Sequence, residues 1–510
     1  MFAALVFALF VSVFHQQPQA PPQQQPAAPT PTPTPTPRPT PEEPPVVTKH
    51  EIKAGTRMLK YTVTTGMMPL KNREGVVDAS IFFMAYTLDG AGPVGQRPLM
   101  FSFNGGPGSA SVWLHLGALG PRRVQMMDDG AMPAPPYQLV DNDQTWLDQT
   151  DLVFIDPVGT GYSRAARQEA ASRFFSVNGD IESVGEFIRM YLTRYERWTS
   201  PLFLVGESYG TTRASGLSGY LLGKGIAFNG IILISTVMNF QTLLPAPGND
   251  LPYQLIFPSY TATAWYHKKL AADLQGKPLK TVLSEVEKWV TGDYATALAK
   301  GDKLTPAERQ IAVDKMSRYT GLDKKFIENC NLRVDLGRFN KELLRDQNRT
   351  TGRLDSRFKG IDVSAASESP DFDPSLSAIR PPYTATFNQY VRSELGYKSD
   401  LEYYILGGGI GPWSYGPNQG YADTSTSLRS AFNQNPYLKL FIASGYFDMA
   451  TPYFATEYTV DHMGLDPAVR KNIKLAYYDA GHMMYIDVKS LAQLKRDVAA
   501  FMGDAMNSRP

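Results

Sequence analysis

The sequence predicts an α/β fold: a mostly parallel central sheet covered by helices on both faces and interrupted by a helical insertion. Three observations carry this. Short apolar runs recur along the chain and end in glycine-rich or acidic turns. Segments with helical apolar spacing lie between them. A long, more charged helical block then breaks the alternation. Strands alternating with helices imply a parallel sheet buried on both faces, and 43% hydrophobic content over 510 residues supplies the core.

The elements follow in order. Runs rich in Thr, Tyr, Phe and Ile at 58–65 and 79–87 read as strands. PLMFSF (98–103) is an apolar strand running into Asn104-Gly105-Gly106-Pro107-Gly108, and DLVFID (151–156) runs into Pro157-Val158-Gly159. From Asp180 to Trp198, the residues Ile181, Val184, Phe187, Ile188 and Tyr191 recur at helical spacing. An apolar strand (202–205), a helix from Thr211 to Leu222 and the strand GIILIS (230–235) come next.

Between Met238 and Tyr383 the pattern turns helical and charged, as in KTVLSEVEKWV (280–290) and TPAERQIAVDKMSRY (305–319). Thr305 is placed to cap the second helix and Pro306 to begin it. Residues 238–383 therefore read as a mainly helical cap inserted over the active site. A helix at 384–396, the strands LKLFIAS (438–444) and IKLAYYD (473–479), and the helix SLAQLKRDVAAFMGDAM complete a core made of 46–237 and 384–510.

Ahead of that core, residues 1–14 form one apolar run, shorter than the roughly 20 residues a membrane-spanning helix needs. The run resembles the apolar region of a secretory signal, although no Lys or Arg precedes it and no A-x-A site follows it. Residues 15–45 are a Pro/Thr/Gln-rich tract with no core-forming residues, and alternating Thr-Pro favours an extended, disordered spacer. The two segments suit an exported protein, periplasmic, cell-surface or secreted, held away from a membrane or wall. A net charge of +1 without a basic stripe argues against a nucleic-acid partner. The single cysteine, Cys330, excludes a disulfide framework and a Cys-rich metal site.

The chemistry is carried by Gly206-Glu207-Ser208-Tyr209-Gly210. Glycine-x-serine-x-glycine between a strand and a helix is the nucleophile elbow of the α/β-hydrolase fold. Its turn is too tight for side chains at the flanking positions, and it exposes the Ser208 hydroxyl above the sheet. Serine needs a base within hydrogen-bond reach, and the base needs an orienting acid. The chain order Ser, Asp or Glu, then His, with reactive groups just past strand ends, selects Asp448 after strand 438–444 and His482 after strand 473–479. Of the other histidines, His15 and His50 precede the core, His115 falls in a helix, and His267 and His462 have no strand end behind them. Asp479 and Asp487 lie too close to His482 in sequence to orient it. The oxyanion of a tetrahedral intermediate needs backbone N–H donors. Tyr209, after the nucleophile, supplies one, and Gly106 in the upstream glycine-rich loop the other.

These motifs resemble the serine carboxypeptidases, in particular their bacterial members. The resemblance rests on Asn104-Gly105-Gly106-Pro107-Gly108, the run Asp-Pro-Val-Gly-Thr-Gly-Tyr-Ser at 156–163, the elbow, and Gly481-His482-Met483, in that order over roughly 46–510. It implies an α/β-hydrolase fold with a helical insertion, and removal of the last amino acid of peptides, usually best at acid pH, without metal or other cofactor. It also implies that Asn104 and Glu207 grip the substrate's terminal carboxylate. Glu207 facing a carboxylate is a like-charge pair that one shared proton relieves, so binding should weaken as pH rises.

The chain departs from the better-known members of that family. Their disulfides are absent, Ser102 stands where they often carry Trp, and Ala118 stands where a second carboxylate-binding Glu is common. Arg122 and Arg123 follow and are either a substitute positive charge or plain surface arginines. Tyr162, Trp413 and Met483 are either pocket lining or core. The weakened grip keeps an esterase or acyltransferase on the same scaffold as the alternative function. A catalytically silent binding protein is the third reading, opposed by the complete triad. Gly407-Gly408-Gly409-Ile410-Gly411 lacks the spacing and acidic ribose ligand of a dinucleotide site and reads as a flexible loop.

Overall fold

Nine strands in chain order build the central sheet: β1 (Val46–Ala54), β2 (Arg57–Lys71), β3 (Val77–Leu88), β4 (Leu99–Phe103), β5 (Asp151–Ile155), β6 (Leu202–Ser208), β7 (Gly230–Thr236), β8 (Lys439–Gly445) and β9 (Ile473–Tyr478). The structure, a computed structural model, describes residues 42–416 and 420–507. The apolar run 1–14 and residues 15–41 of the Pro-rich tract lie outside the described residues. The sheet order is β1-β2-β3-β5-β4-β6-β7-β8-β9, and a tenth, two-residue strand (Arg164–Ala165) pairs with β3. Pairing is antiparallel from β1 through β5. It is parallel from β5 through β9.

The apolar runs become fully buried strands because both sheet faces are covered. Side chains alternate between two cores: Phe203, Val205, Ile232, Ile234 and Phe441 pack on one face. Leu202, Leu204, Ile231, Leu233, Leu440 and Ile442 pack on the other. The second face is closed by α1 (Val177–Arg194) and by α2 (Tyr209–Leu222), which leaves directly from the end of β6.

Between β7 and β8 the chain makes α3 (Leu251–Tyr266), α4 (Leu279–Trp289) and α5 (Pro306–Thr320). These helices bury Phe257, Val286, Trp289, Val313, Met316 and Tyr319 in a cluster of their own. Thr305 and Glu308 form a capping box, with Pro306 as the first helical residue, so a local rule fixed this start.

Two expectations need correction. The sequence reading has no strand at 46–54, yet VVTKHEIKA pairs along its whole length with β2. Only one of its nine residues is fully buried, so its signal was pairing rather than hydrophobicity. The helix expected at 384–396 is α6 (Pro374–Ser393), begun by the Asp373 cap and continuous through Pro381 and Pro382. An interior proline costs about 3 kcal/mol, but burial of Ile379, Tyr383, Phe387 and Tyr390 in the first core outweighs it. The 407–411 segment is a loop, tied to neighbouring loops at its first residue and through the residues just before it. Gly407 N–H donates to Gly108 O at 2.9 Å, Ala110 N–H to Ile405 O at 3.1 Å, and Gly161 N–H to Tyr404 O at 2.9 Å.

Among the buried ion pairs of the described residues, Arg213–Asp180 is also bonded to the Asn104 carbonyl. Arg213 on α2, 1% exposed, donates through Nε to Asp180 of α1 at 2.8 Å and through Nη1 to Asn104 O at 2.8 Å. Removing one member of such a pair strands the other as an uncompensated buried charge. Arg213→Met is therefore expected to lose about 3–5 kcal/mol, read as a lowered urea midpoint in equilibrium unfolding.

Candidate active site

Four parallel strands deliver their last residues to one end of the sheet. Phe103 of β4 pairs with Gly206 of β6, and Gly445 of β8 with Tyr478 of β9. The loops that follow carry Asn104–Gly108, Ser208, Asp448 and His482. Asn104, Gly106, Glu207, Ser208 and His482 line a single cavity of about 140 Å³, with Trp113, Leu376, Ile379, Leu406 and Met483 among its apolar walls.

The elbow is sterically enforced. Ser208 sits at φ 59°, ψ −131°, between β6 and α2. A non-glycine residue held there stores on the order of 1–3 kcal/mol of strain. A Cβ on Gly206 would stand 2.3 Å from Gly210 O, so only glycine closes the turn. The Asn104–Gly108 loop docks against the same turn: a Cβ on Gly105 would lie 2.3 Å from Tyr209 N. The amides of Gly106 and Tyr209 thereby belong to adjacent stretches of backbone, although the Tyr209 ring itself is buried against Trp413, 5.3 Å away.

Asp448 is fully buried and its carboxylate is saturated. Oδ1 accepts from Ala450 N–H at 2.7 Å and Thr451 N–H at 3.0 Å. Oδ2 accepts from Thr451 Oγ1 at 2.7 Å and lies 2.7 Å from His482 Nδ1. Nδ1 therefore carries the donated proton, and Nε2 is the ring nitrogen left for another partner. Burial drags the His482 pKa down, but the Asp448 charge and hydrogen bond, helped by Glu207, more than offset it, and the net shift is upward. Thr451, absent from the sequence reading, fixes the carboxylate; a Thr three residues past a strand-end Asp was the only available signal.

Glu207 is 3% exposed. Its Oε1 accepts from Asn104 Nδ2 at 2.9 Å, while Asn104 Oδ1 accepts from Leu114 N–H at 3.0 Å. Oε2 has no hydrogen-bond partner among the described residues, and the nearby Tyr485 hydroxyl does not meet hydrogen-bond geometry. Burial pushes the Glu207 carboxyl up to about 7, tempered by the His482, Tyr485 and Asn104 interactions.

The other residues weighed in the sequence separate clearly. Ala118 is completely buried within the first core. Arg122 pairs with Asp141 and, at 3.5 Å, with Glu394. Neither Arg122 nor Arg123 is part of the cavity wall. Tyr162 is core, edge-on to Phe82 at 5.2 Å, and Met483 is cavity lining. Arg353, which no motif marked, lines the cavity beside Ser208 and His482.

This fold and this strand-end constellation define an α/β-hydrolase. The family model for serine carboxypeptidases matches residues 59–495, and the chain belongs to that family. Among curated proteins, pheromone-processing carboxypeptidase KEX1 of Saccharomyces cerevisiae is 32% identical over 155 residues, 28% of this chain and 20% of that protein. Serine carboxypeptidase-like 8 of Arabidopsis thaliana is 25% identical over 227 residues, 42% of this chain and 48% of that one. The matches thus span less than half the length of these relatives. The solved structure of the Saccharomyces cerevisiae prohormone-processing carboxypeptidase KEX1 aligns with a TM-score of 0.51 at 16% identity, covering 87% of this chain and 91% of that one. That likeness speaks to the fold.

The raised Glu207 carboxyl makes a testable statement about stability. The folded protein keeps a proton that the unfolded chain releases near the ordinary value of 4.5. Its contribution is fully present below pH 4.5 and is lost as pH rises through about 7. Urea unfolding from pH 4.5 to 8 should show wild type losing about 3 kcal/mol relative to Glu207→Gln, which lacks this titration.

Proposed function

We propose that the chain is an exported serine carboxypeptidase that releases the C-terminal amino acid of peptides through an acyl-enzyme. The observation that carries this reading is the buried Glu207 carboxyl, bonded to Asn104 and bordering the same cavity as Ser208 and His482. A carboxyl whose pKa is raised to about 7 is an O–H donor at acid pH. A carboxyl that donates next to an amide N–H suits a ligand that is itself a carboxylate.

In this mechanism the substrate's terminal carboxylate accepts from Asn104 and from protonated Glu207, placing the last peptide bond over Ser208. His482 Nε2 takes the Ser208 hydroxyl proton as Oγ attacks the carbonyl carbon. The oxyanion accepts from the N–H groups of Gly106 and Tyr209. Asp448 holds the imidazolium in place without taking its proton. His482 then gives the proton to the departing amine, the C–N bond breaks, and the free amino acid leaves. Water, deprotonated by His482, attacks the acyl-enzyme, and Ser208 regains its proton. The helical block after β7 acts as a cap. The apolar run and Pro-rich tract at the N-terminus support export and a tether.

An esterase or acyltransferase is the second reading, favoured by Ala118, which has no carboxyl and is sequestered in the core, so that position 118 supplies no second acid beside Glu207. Amino-acid release from an N-blocked dipeptide, with its C-terminal amide as control, separates the two. The carboxypeptidase cleaves the acid and spares the amide; equal cleavage, or cleavage of simple esters alone, moves the assignment to the second reading.

Two further outcomes follow from the assigned roles. Ser208→Ala should lower kcat about a million-fold and abolish labelling by a fluorophosphonate. The kcat/KM for acid substrates should fall as pH rises through about 7, because Glu207 loses its donor proton and repels the substrate. In Glu207→Gln that decline should disappear, measured as kcat/KM across pH 5–9.

A further inference from the structure

The proposed carboxylate grip contains no positive charge. Asn104 and protonated Glu207 are neutral donors, yet a carboxylate leaving water for a buried site needs a compensating charge. Four residues that can carry charge line the cavity holding Ser208: Glu207, Arg353, Asp373 and His482. His482 is committed to Asp448. Asp373 is occupied as the N-cap of α6, accepting from Ser375 N–H at 2.9 Å and Ser375 Oγ at 2.5 Å. The Arg353 guanidinium has no ion pair or hydrogen bond among the described residues.

Its backbone is fixed against the reacting groups on two sides. Met449 N–H, next to Asp448, donates to Arg353 O at 3.1 Å, and His482 N–H donates to the adjacent Leu354 O at 2.7 Å. Arg353 N–H donates to Asp373 Oδ1 at 3.1 Å. Arg353 also lines a second, more apolar cavity of about 450 Å³, and the residues common to both cavities are Gly106 and Arg353. The guanidinium thus stems from the junction of the two spaces that meet at the oxyanion loop. Its charge is felt at His482, where it opposes protonation.

We infer that Arg353 is the specificity-determining cation for the substrate's C-terminal carboxylate, completing the grip begun by Asn104 and Glu207. The inference rests on the carboxypeptidase reading above. It assigns to an arginine of the helical insertion the charge that Arg122, held by Asp141 and Glu394, does not bring to the cavity. A guanidinium presents a planar fork of donors matched to a carboxylate, and an exposed arginine with no partner can swing onto it without breaking another bond.

The test measures binding in a Ser208→Ala background, where turnover does not intrude, at pH 5.5, below the Glu207 titration. The ligands are N-blocked Leu-Leu as the free acid, the same peptide as its C-terminal amide, and N-blocked Leu-Asp amide, whose carboxylate is on the side chain only. Arg353→Met should weaken the free acid about 10- to 100-fold, the range of a charge-assisted hydrogen bond, and leave the Leu-Leu amide unchanged. Arg353→Lys should recover part of the loss. The inference is overturned if the acid-to-amide ratio is the same with and without Arg353, or if only Leu-Asp amide weakens, which would assign Arg353 to acidic side chains. Amino-acid release by the intact enzyme judges the underlying reading separately. Release combined with an unchanged ratio sinks the role of Arg353 alone, whereas no release sinks the reading and the inference with it.

Discussion

The Arg213–Asp180 ion pair is the contact on which the arrangement of the site depends. It is sealed between α1 and α2, and Arg213 spends a further donor on the carbonyl of Asn104. One side chain therefore ties the helix that leaves the elbow to the loop that must face it. The close approach of Gly105 to Tyr209 N, and of Gly206 to Gly210 O, leaves no slack for that loop to drift. Buried pairs of this kind add little net stability but are costly to break, which is how a geometry is held rather than a fold made stronger.

The same desolvation acts in opposite directions on the site's two key titrating groups. It raises the Glu207 carboxyl, keeping it protonated in weak acid. It would lower His482, but the Asp448 charge beneath the ring reverses the outcome. Both shifts are upward, so the two titrations are drawn together, and the interval in which Glu207 keeps its proton while His482 is free to accept one is narrow. The Arg353 charge enters the same field from the rim, favouring the neutral base while attracting an anion.

Much of this was legible in the sequence because it follows local rules. The buried strands announced themselves as apolar runs, the elbow as glycines around a serine, and the Thr305 capping box as a four-residue pattern. Strand ends and chain order singled out Asp448 and His482, whose side chains meet in the structure. What escaped depends on partners distant in sequence. Strand β1 exists because β2 offers it a register. Helix α6 runs through two prolines because the core beneath rewards its aromatic face. Arg353 sits at the rim only because the chain around it is bonded to the loops of Asp448 and His482, a relation no motif at 353 encodes.

The segment from Tyr404 to Gly407 clasps the Asn104–Gly108 loop with its Ala110 extension, and the loop at Gly161, with main-chain atoms. Leu406, in the middle of that clasp, nevertheless lines the cavity. Scaffold and selectivity are thereby uncoupled at this position. The peptide groups keep the loop in register whatever residue occupies 406, while the residue itself shapes what fits against the wall. Such a site can be rewritten by single substitutions without disturbing the machinery it borders, and divergence in substrate preference within this architecture has an inexpensive route there.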